Sequence, residues 1–253
     1  MGLKLIFCDN SKFDIVRELS LRCSTGIEIQ VFHNPSILDS YSDCLINEMK
    51  NKLAGINLKS LHGPFFDLSP GSEDSKVREL TVYRYKQIIA IAKKLNINNI
   101  VLHHGYYPNT TKEDKWIANF YNTIVKLLYD AEDIAIYFEN LFEHDGDMMQ
   151  KAIHAINSPN LKLCLDIGHI NCFSNKKPIE WFEKLENDIG YIHMHNNYGN
   201  QDSHLYLEDG DVSYSDIISY VQQYCPNALC AIETNSSDLI RSFELIRRLE
   251  KKC

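Results

Sequence analysis

Eight short apolar, β-branched runs punctuate this chain: LKLIFCD from Leu3, GIEIQVF from Gly26, LKSLHGPF from Leu58, NIVLHHG from Asn99, IAIYFEN from Ile134, LKLCLDIGH from Leu161, GYIHMHN from Gly190 and ALCAIET from Ala228. Between them lie segments such as VRELTVYRYKQIIAIAKKL, KWIANFYNTIVKLLYDAE, PIEWFEKLEN, YSDIISYVQQY and SDLIRSFELIRRLEKK, whose apolar residues recur at three and four, the helical period. Strand then helix, eight times over, predicts an α/β fold: a parallel eight-stranded (β/α)8 TIM barrel with outer helices. A doubly wound open sheet is the rival, but Phe7 to Lys12 lacks the glycine-rich phosphate turn such a sheet places after an early strand. No linker, low-complexity tract or repeat divides the chain, so residues 1–253 are read as one domain. Helix starts are expected at Pro178, at Ser213 or Ser215, and at Ser236 or Ser237.

At 253 residues and 44% hydrophobic content, the chain can bury a large core. Its formal net charge of −8 argues against a general nucleic-acid binder, because phosphate backbones attract clustered Lys and Arg. No apolar stretch approaches the ~20 residues of a membrane helix, and MGLKLIFCDN lacks a signal-peptide layout, so no membrane partner and a soluble, cytoplasmic protein are expected. The eight cysteines, Cys253 among them, are scattered without CxxC and read as reduced thiols. Cys164 reads as a core residue, with no cationic neighbour in sequence to activate it.

Barrels of this kind carry their sites at the carboxyl ends of the strands. From the third run onward those ends present His62, then His103 and His104, Glu139, Asp166 and His169, His193 and His195, and Glu233. Any one of them alone reads as an ordinary loop residue. Together they form a carboxylate cluster with no Lys or Arg at the strand ends to balance it, and divalent metal is the economical counter-charge. Mixed imidazole and carboxylate donors suit Zn²⁺, Mn²⁺, Fe²⁺ or Co²⁺. Asp166 and His169 are three apart in LDIGH, and Asp202 and His204 two apart in a following loop, so each pair can converge on one ion. Glu28 falls before its strand's end and reads as structural; His33, His144 and His154 receive no role.

The strings HGPF, HHG, FEN, LDIGH, HMHNN, DSH with LEDGDV, and ET resemble the xylose isomerase-like barrel superfamily, which includes endonuclease IV and sugar epimerases of the D-tagatose 3-epimerase type. In the epimerase branch, the resemblance implies one metal held by Glu139, Asp166, His193 and Glu233, with His195 the alternative histidine. In the endonuclease IV branch it implies a three-zinc cluster that adds His62, His103, His169, Asp202 and His204. The local wording is closer to the sugar enzymes: LDIGH lacks the threonine and cysteine that precede the histidine in the nuclease branch, and Phe65 replaces its tyrosine near DNA.

The expected activity is therefore a metal-dependent isomerase or epimerase, with Mn²⁺ or Zn²⁺, on a small sugar or sugar phosphate. Glu139 and Glu233 would exchange a proton through an enediolate while His169 hydrogen-bonds the oxyanion. The alternative is a zinc-dependent phosphodiesterase of the endonuclease IV type, which alone would make nucleic acid a partner; a second alternative is a barrel that binds metal and a polyol without turnover. A homo-oligomer is compatible with either enzyme. Phe65, Phe66, Tyr106, Tyr107, Phe173, Tyr198 and Tyr206 are candidates for sugar-packing walls. Lys176, Lys177 and the Asn235–Ser237 turn read as solvated lysines and helix capping rather than a phosphate site.

Overall fold

In a computed structural model that describes residues 2–10 and 12–251, the eight runs become eight parallel strands: β1 Lys4–Cys8, β2 Gly26–Ile29, β3 Lys59–His62, β4 Asn99–His103, β5 Ala135–Glu139, β6 Leu161–Asp166, β7 Ile189–Met194 and β8 Leu229–Ile232. They hydrogen-bond in chain order, and β8 returns to β1, so the sheet closes into a (β/α)8 TIM barrel. The helices are α1 Phe13–Cys23, α2 Pro35–Ser40, α3 Asp43–Lys52, α4 Ser75–Leu95, α5 Glu113–Leu128, α6 Asp147–Ile156, α7 Ile167–Phe173, α8 Pro178–Leu185, α9 Tyr214–Tyr224 and α10 Leu239–Leu249. Among the described residues, no helix is long and apolar enough to cross a membrane. Cys253 lies outside the described residues; the other seven cysteines are free thiols.

Two apolar layers hold the barrel. The larger fills the space between strands and helices, where Trp116, Phe120 and Phe138 stack on one another and Trp181 and Phe182 are buried. The smaller plugs the barrel interior with Ile6, Cys8, Val101, Tyr137, Cys164, Tyr191, Leu229 and Ala231. These are inward-facing positions of β1 and β4 to β8, and they fill the cylinder below the carboxyl ends of its strands. Burial pushes the Cys164 thiol well up, as expected for a core residue.

Local chemistry sets several boundaries. Asn34, Ser42 and Asp74 cap α2, α3 and α4 through side-chain oxygens, and Pro178 opens α8. The start of α9 falls where expected, directly after Ser213, although without a side-chain cap; α10 differs, beginning after Asp238 rather than after Ser236 or Ser237. The run GIEIQVF is also shorter as a strand than it looks, because Val31–His33 forms a 3₁₀ turn that buries Phe32 in the outer core.

Candidate metal centre

The strand ends and the loop after β7 bring the nominated ligands to one mouth, His104 excepted, which packs outward. His62, His103, Glu139 and Asp166 are the last residues of β3 to β6, His193 stands one before the end of β7, and Glu233 follows β8 directly. Glu139, Asp166, His193 and Glu233 are buried. Three of their oxygens surround one ring nitrogen: His193 Nδ1 lies 3.1 Å from Glu139 Oε1, 3.3 Å from Glu233 Oε2 and 3.7 Å from Asp166 Oδ2. Donors that share an ion at metal–ligand distances of about 2.0–2.2 Å stand about 3–3.5 Å apart, so Glu139 and Glu233 stand at that spacing from His193 Nδ1 and Asp166 just beyond it. His195 sits to one side, its Nε2 3.1 Å from Asp166 Oδ1 and 3.5 Å from Asp202 Oδ1.

The other nominated ligands flank this centre in two groups. His62 Nε2 and His103 Nε2 approach Glu139 Oε2 at 3.1 and 3.5 Å. His169 Nε2 and His204 Nε2 both approach Asp202 Oδ2 at 3.2 Å. In three of these histidines the opposite ring nitrogen faces a backbone carbonyl: His62 Nδ1 with Gly63 O at 2.9 Å, His169 Nδ1 with Asn140 O at 2.8 Å and His204 Nδ1 with Glu233 O at 2.8 Å. A carbonyl only accepts, so Nδ1 must carry a proton, and Nε2, which faces a carboxylate, is the nitrogen a cation would take once it displaces the proton there. That is the outer contact that orients metal-binding imidazoles.

Charge is the second test of fit. Burial alone would lift the Glu139 carboxyl, but the imidazoles of His193, His103 and His62 hold it well below the usual carboxylate range. His169 and His204 do the same to Asp202 against its burial. In return, burial lowers His169 and His204, yet Asp166 and Asp202 carry His169 up to about 10, and Asp202 and Glu233 carry His204 up to about 9. His103, with His62, His169 and His193 for neighbours, is pushed by burial down to about 3. Protons on imidazoles thus supply positive charge that no Lys or Arg supplies, and a divalent cation can replace those protons. Asp202 Oδ1 is moreover buried without a hydrogen-bond partner. The mixed imidazole and carboxylate donor set fits a divalent cation.

Backbone clamps hold the ligands. Asp166 caps α7 by accepting from His169 N at 2.6 Å, which ties the two halves of LDIGH together. Asn140 crosses from β5 to β6, accepting from Asp166 N at 2.7 Å and donating to Asp166 O at 3.1 Å. The buried Asn196 side chain organises the loop bearing Asp202 and His204: it donates to Leu207 O at 2.7 Å and accepts from Val212 N at 3.1 Å. Gly210, at φ 150°, lets that loop close, since a Cβ there would stand 2.3 Å from Asn196 Oδ1.

Above the ligands opens a cavity of about 540 Å³, lined additionally by Asn10, Gln30, His33, Phe65, Leu141 and Asn235. No Lys or Arg is among its described lining residues. Of the candidate aromatic walls, Phe65 faces the cavity and stacks on His103 at 4.5 Å, whereas Tyr106 packs on Trp116 and Tyr206 is buried against Glu208 and Arg241. His104 packs outward on Trp116 and Phe120 and pairs with Glu143 at 2.7 Å. Lys176 and Lys177 are exposed at the start of α8, outside the cavity.

Two residues are underrated by sequence. His33 lines the cavity and stacks on Phe65 at 5.4 Å, hidden because its 3₁₀ turn reads as strand. Glu28 is fully buried beneath His193, and its signal is an acid between isoleucines in a run otherwise suited to a core.

A family model described as xylose isomerase-like TIM barrel matches residues 24–249. Among curated relatives, two uncharacterized proteins of Methanocaldococcus jannaschii, MJ1311 and MJ1614, are each 30% identical, over 74% and 71% of this chain and 68% and 71% of their own lengths. Among solved structures, a D-tagatose 3-epimerase-like protein superposes with a TM-score of 0.81 at 24% identity, covering 98% of this chain and 97% of that one. The TTHB071 protein of Thermus thermophilus, soaked with zinc chloride, gives 0.80 at 21% identity over 100% and 99%. A D-allulose 3-epimerase from Methylomonas sp. gives 0.78 at 18% identity over 98% of each chain. At these identities the structural likeness is one of fold.

Proposed function

The chain belongs to the xylose isomerase-like TIM barrel family, and from that premise we propose that it is a divalent-metal-dependent isomerase or epimerase of a small sugar or sugar phosphate. One observation carries the reading. Glu139 and Glu233, from strands on well-separated sides of the barrel, meet Asp166 and His193 Nδ1 under a cavity whose remaining polar lining is amide and imidazole with the one carboxylate of Asp202. Neutral donors such as Asn10, Gln30 and Asn235 suit sugar hydroxyls, and the lack of Lys and Arg among the described lining favours an unphosphorylated sugar over a sugar phosphate.

Glu139, Asp166, His193 and Glu233 would hold the cation, Mn²⁺ or Zn²⁺, which when bound supplies Lewis-acid polarisation of neighbouring carbonyl and hydroxyl oxygens. The side chains do the rest. One of Glu139 and Glu233 takes the proton from the carbon beside the carbonyl, and the other returns a proton through an enediolate. His169, kept protonated on both nitrogens by Asp166 and Asp202, presents Nε2–H beside Asp202 at the cavity wall to hydrogen-bond the developing oxyanion. Phe65 offers a flat apolar wall to the sugar ring.

A second reading, a zinc-dependent phosphodiesterase of the endonuclease IV type, is favoured by one specific feature: the carbonyl-set imidazoles of His62, His169 and His204 provide donors for up to three ions. Incubating the metal-loaded protein with ketoses in D₂O separates the two. The expected outcome is deuterium at one carbon beside the carbonyl, read by NMR and lost in Glu233→Gln. Cleavage of an abasic-site duplex with no exchange on any sugar would replace the first reading with the second.

A further inference from the structure

We propose that Glu28 is a positioning residue that turns His193 so that its Nδ1, rather than its Nε2, faces the cation; this rests on the metal-dependent reading above. Glu28 does not reach the ligand cluster from above. It is fully buried in the barrel interior, in register with Cys8 of β1 and Ser60 of β3. Its Oε2 lies 3.1 Å from His193 Nε2 and accepts from Tyr191 Oη at 2.6 Å, while Tyr191 Oη and Ser60 Oγ are 2.8 Å apart. Its Oε1 accepts from Gln30 Nε2 at 3.3 Å and Cys8 Sγ at 3.4 Å. Four donors therefore converge on one carboxylate, enough to keep it in place where an unpaired charge would not persist.

The consequence lies in the imidazole between. Both ring nitrogens face carboxylates; Glu28 takes the Nε2 proton and keeps it, so a cation held by Glu139, Glu233 and Asp166 would displace the proton on Nδ1 and use that lone pair. This is the reverse of His62, His169 and His204, in which a backbone carbonyl takes Nδ1–H and Nε2 faces the cavity. Of these four imidazoles, only His193 is backed by a full negative charge, which makes the ring a stronger donor to a metal than a carbonyl dipole would. Rotation is blocked by neighbours: the His62 ring lies parallel at 5.8 Å and the Tyr191 ring perpendicular at 5.5 Å. Gln30 extends the same network to the cluster, since its Nε2 bridges Glu28 to Glu233 Oε1 at 2.5 Å.

The test uses Co²⁺ as the probe, titrated into wild type and Glu28→Gln by calorimetry and visible absorption. Glu28→Gln keeps the shape but loses the charge and mixes donors with acceptors. It is expected to bind Co²⁺ about 10–100-fold more weakly, with an altered ligand-field spectrum. Equal affinity and an unchanged spectrum would overturn the proposal. Should the variant not fold, ¹⁵N NMR of the Zn²⁺-loaded wild type decides alone: a proton on His193 Nε2 with metal at Nδ1 supports it, and the reverse tautomer overturns it. Wild type that takes up neither ion would instead remove the metal-dependent reading on which the proposal stands.

Discussion

Glu139→Gln is expected to lower turnover by about a thousandfold or more and to abolish stabilisation by added metal. No other side chain touches so many of the proposed ligands. Its two oxygens lie within 3.5 Å of His62, His103, His169 and His193. In wild type, an ion at about a hundred times its dissociation constant should add about 2.7 kcal/mol, since it binds the folded form alone. For a chain of this size that raises Tm by roughly 5–10 °C, measurable by scanning calorimetry with and without Zn²⁺ or Mn²⁺. The variant should show no such rise. Without metal it should also be less stable, by about 3–5 kcal/mol, because protonated imidazoles lose the carboxylate that compensates them in a buried site. A variant that gains the same thermal stability from metal as wild type would remove Glu139 from the coordination set.

Gly168→Ala should be nearly as damaging, although Gly168 has no side chain to contribute. A Cβ at this position would stand 1.9 Å from Cε1 of His195 and 2.4 Å from its Nδ1. The His195 ring cannot retreat, because His204 is stacked against it at 3.9 Å and its own Nε2 is held by Asp166 Oδ2 at 3.2 Å. Either the helix carrying Ile167–Phe173 shifts, dragging His169 with it, or the imidazoles of the centre are displaced. Overpacking of this kind costs about 3 kcal/mol, a Tm decrease of roughly 6–12 °C for a chain of this length. Metal affinity should fall in parallel. A Tm within about a degree of wild type would mean that the close approach of His195 to the backbone is not a feature of the folded protein.

The glycine of LDIGH illustrates what can and cannot be read from sequence. Asp166 and His169 are legible because polar residues at the end of an apolar run stand out, and a barrel strand sends such residues to its mouth; that Gly168, one of the two residues between them, must lack a Cβ depends on His195, which follows the next strand. The eight strands are legible for the same reason. Interiors such as IVL in β4 and IYF in β5 face packed layers on both sides and carry no charged residue until the end. Glu28 breaks that rule. It lies inside β2, where position in the strand argues for a structural role, and only the three-dimensional proximity of Tyr191 and His193 on β7 reveals what holds it there. His33 is lost to a turn that begins with Val and Phe and so imitates a strand. The caps of α9 and α10 escape a sequence reading because a serine near a helix start is common, whereas its rotamer and hydrogen bond are decided by the surrounding loop.

Sequence also suggests both chemistries, since the four central ligands serve either. Structure adds two facts that pull in different directions: a cavity without Lys or Arg among its described lining residues, which suits a neutral sugar, and flanking imidazoles already turned to receive further ions. The number of bound ions therefore carries as much information as their presence.

Elemental analysis of protein purified without chelator, alongside Glu139→Gln prepared identically, tests the existence of the centre most directly. Wild type is expected to carry at least about one equivalent of zinc or manganese per chain, with the variant depleted, and about two to three equivalents of zinc would favour the phosphodiesterase reading. Folded wild type that holds only traces of any transition metal, and takes up none on dialysis against Zn²⁺ or Mn²⁺, would contradict the assignment of this mouth as a metal centre.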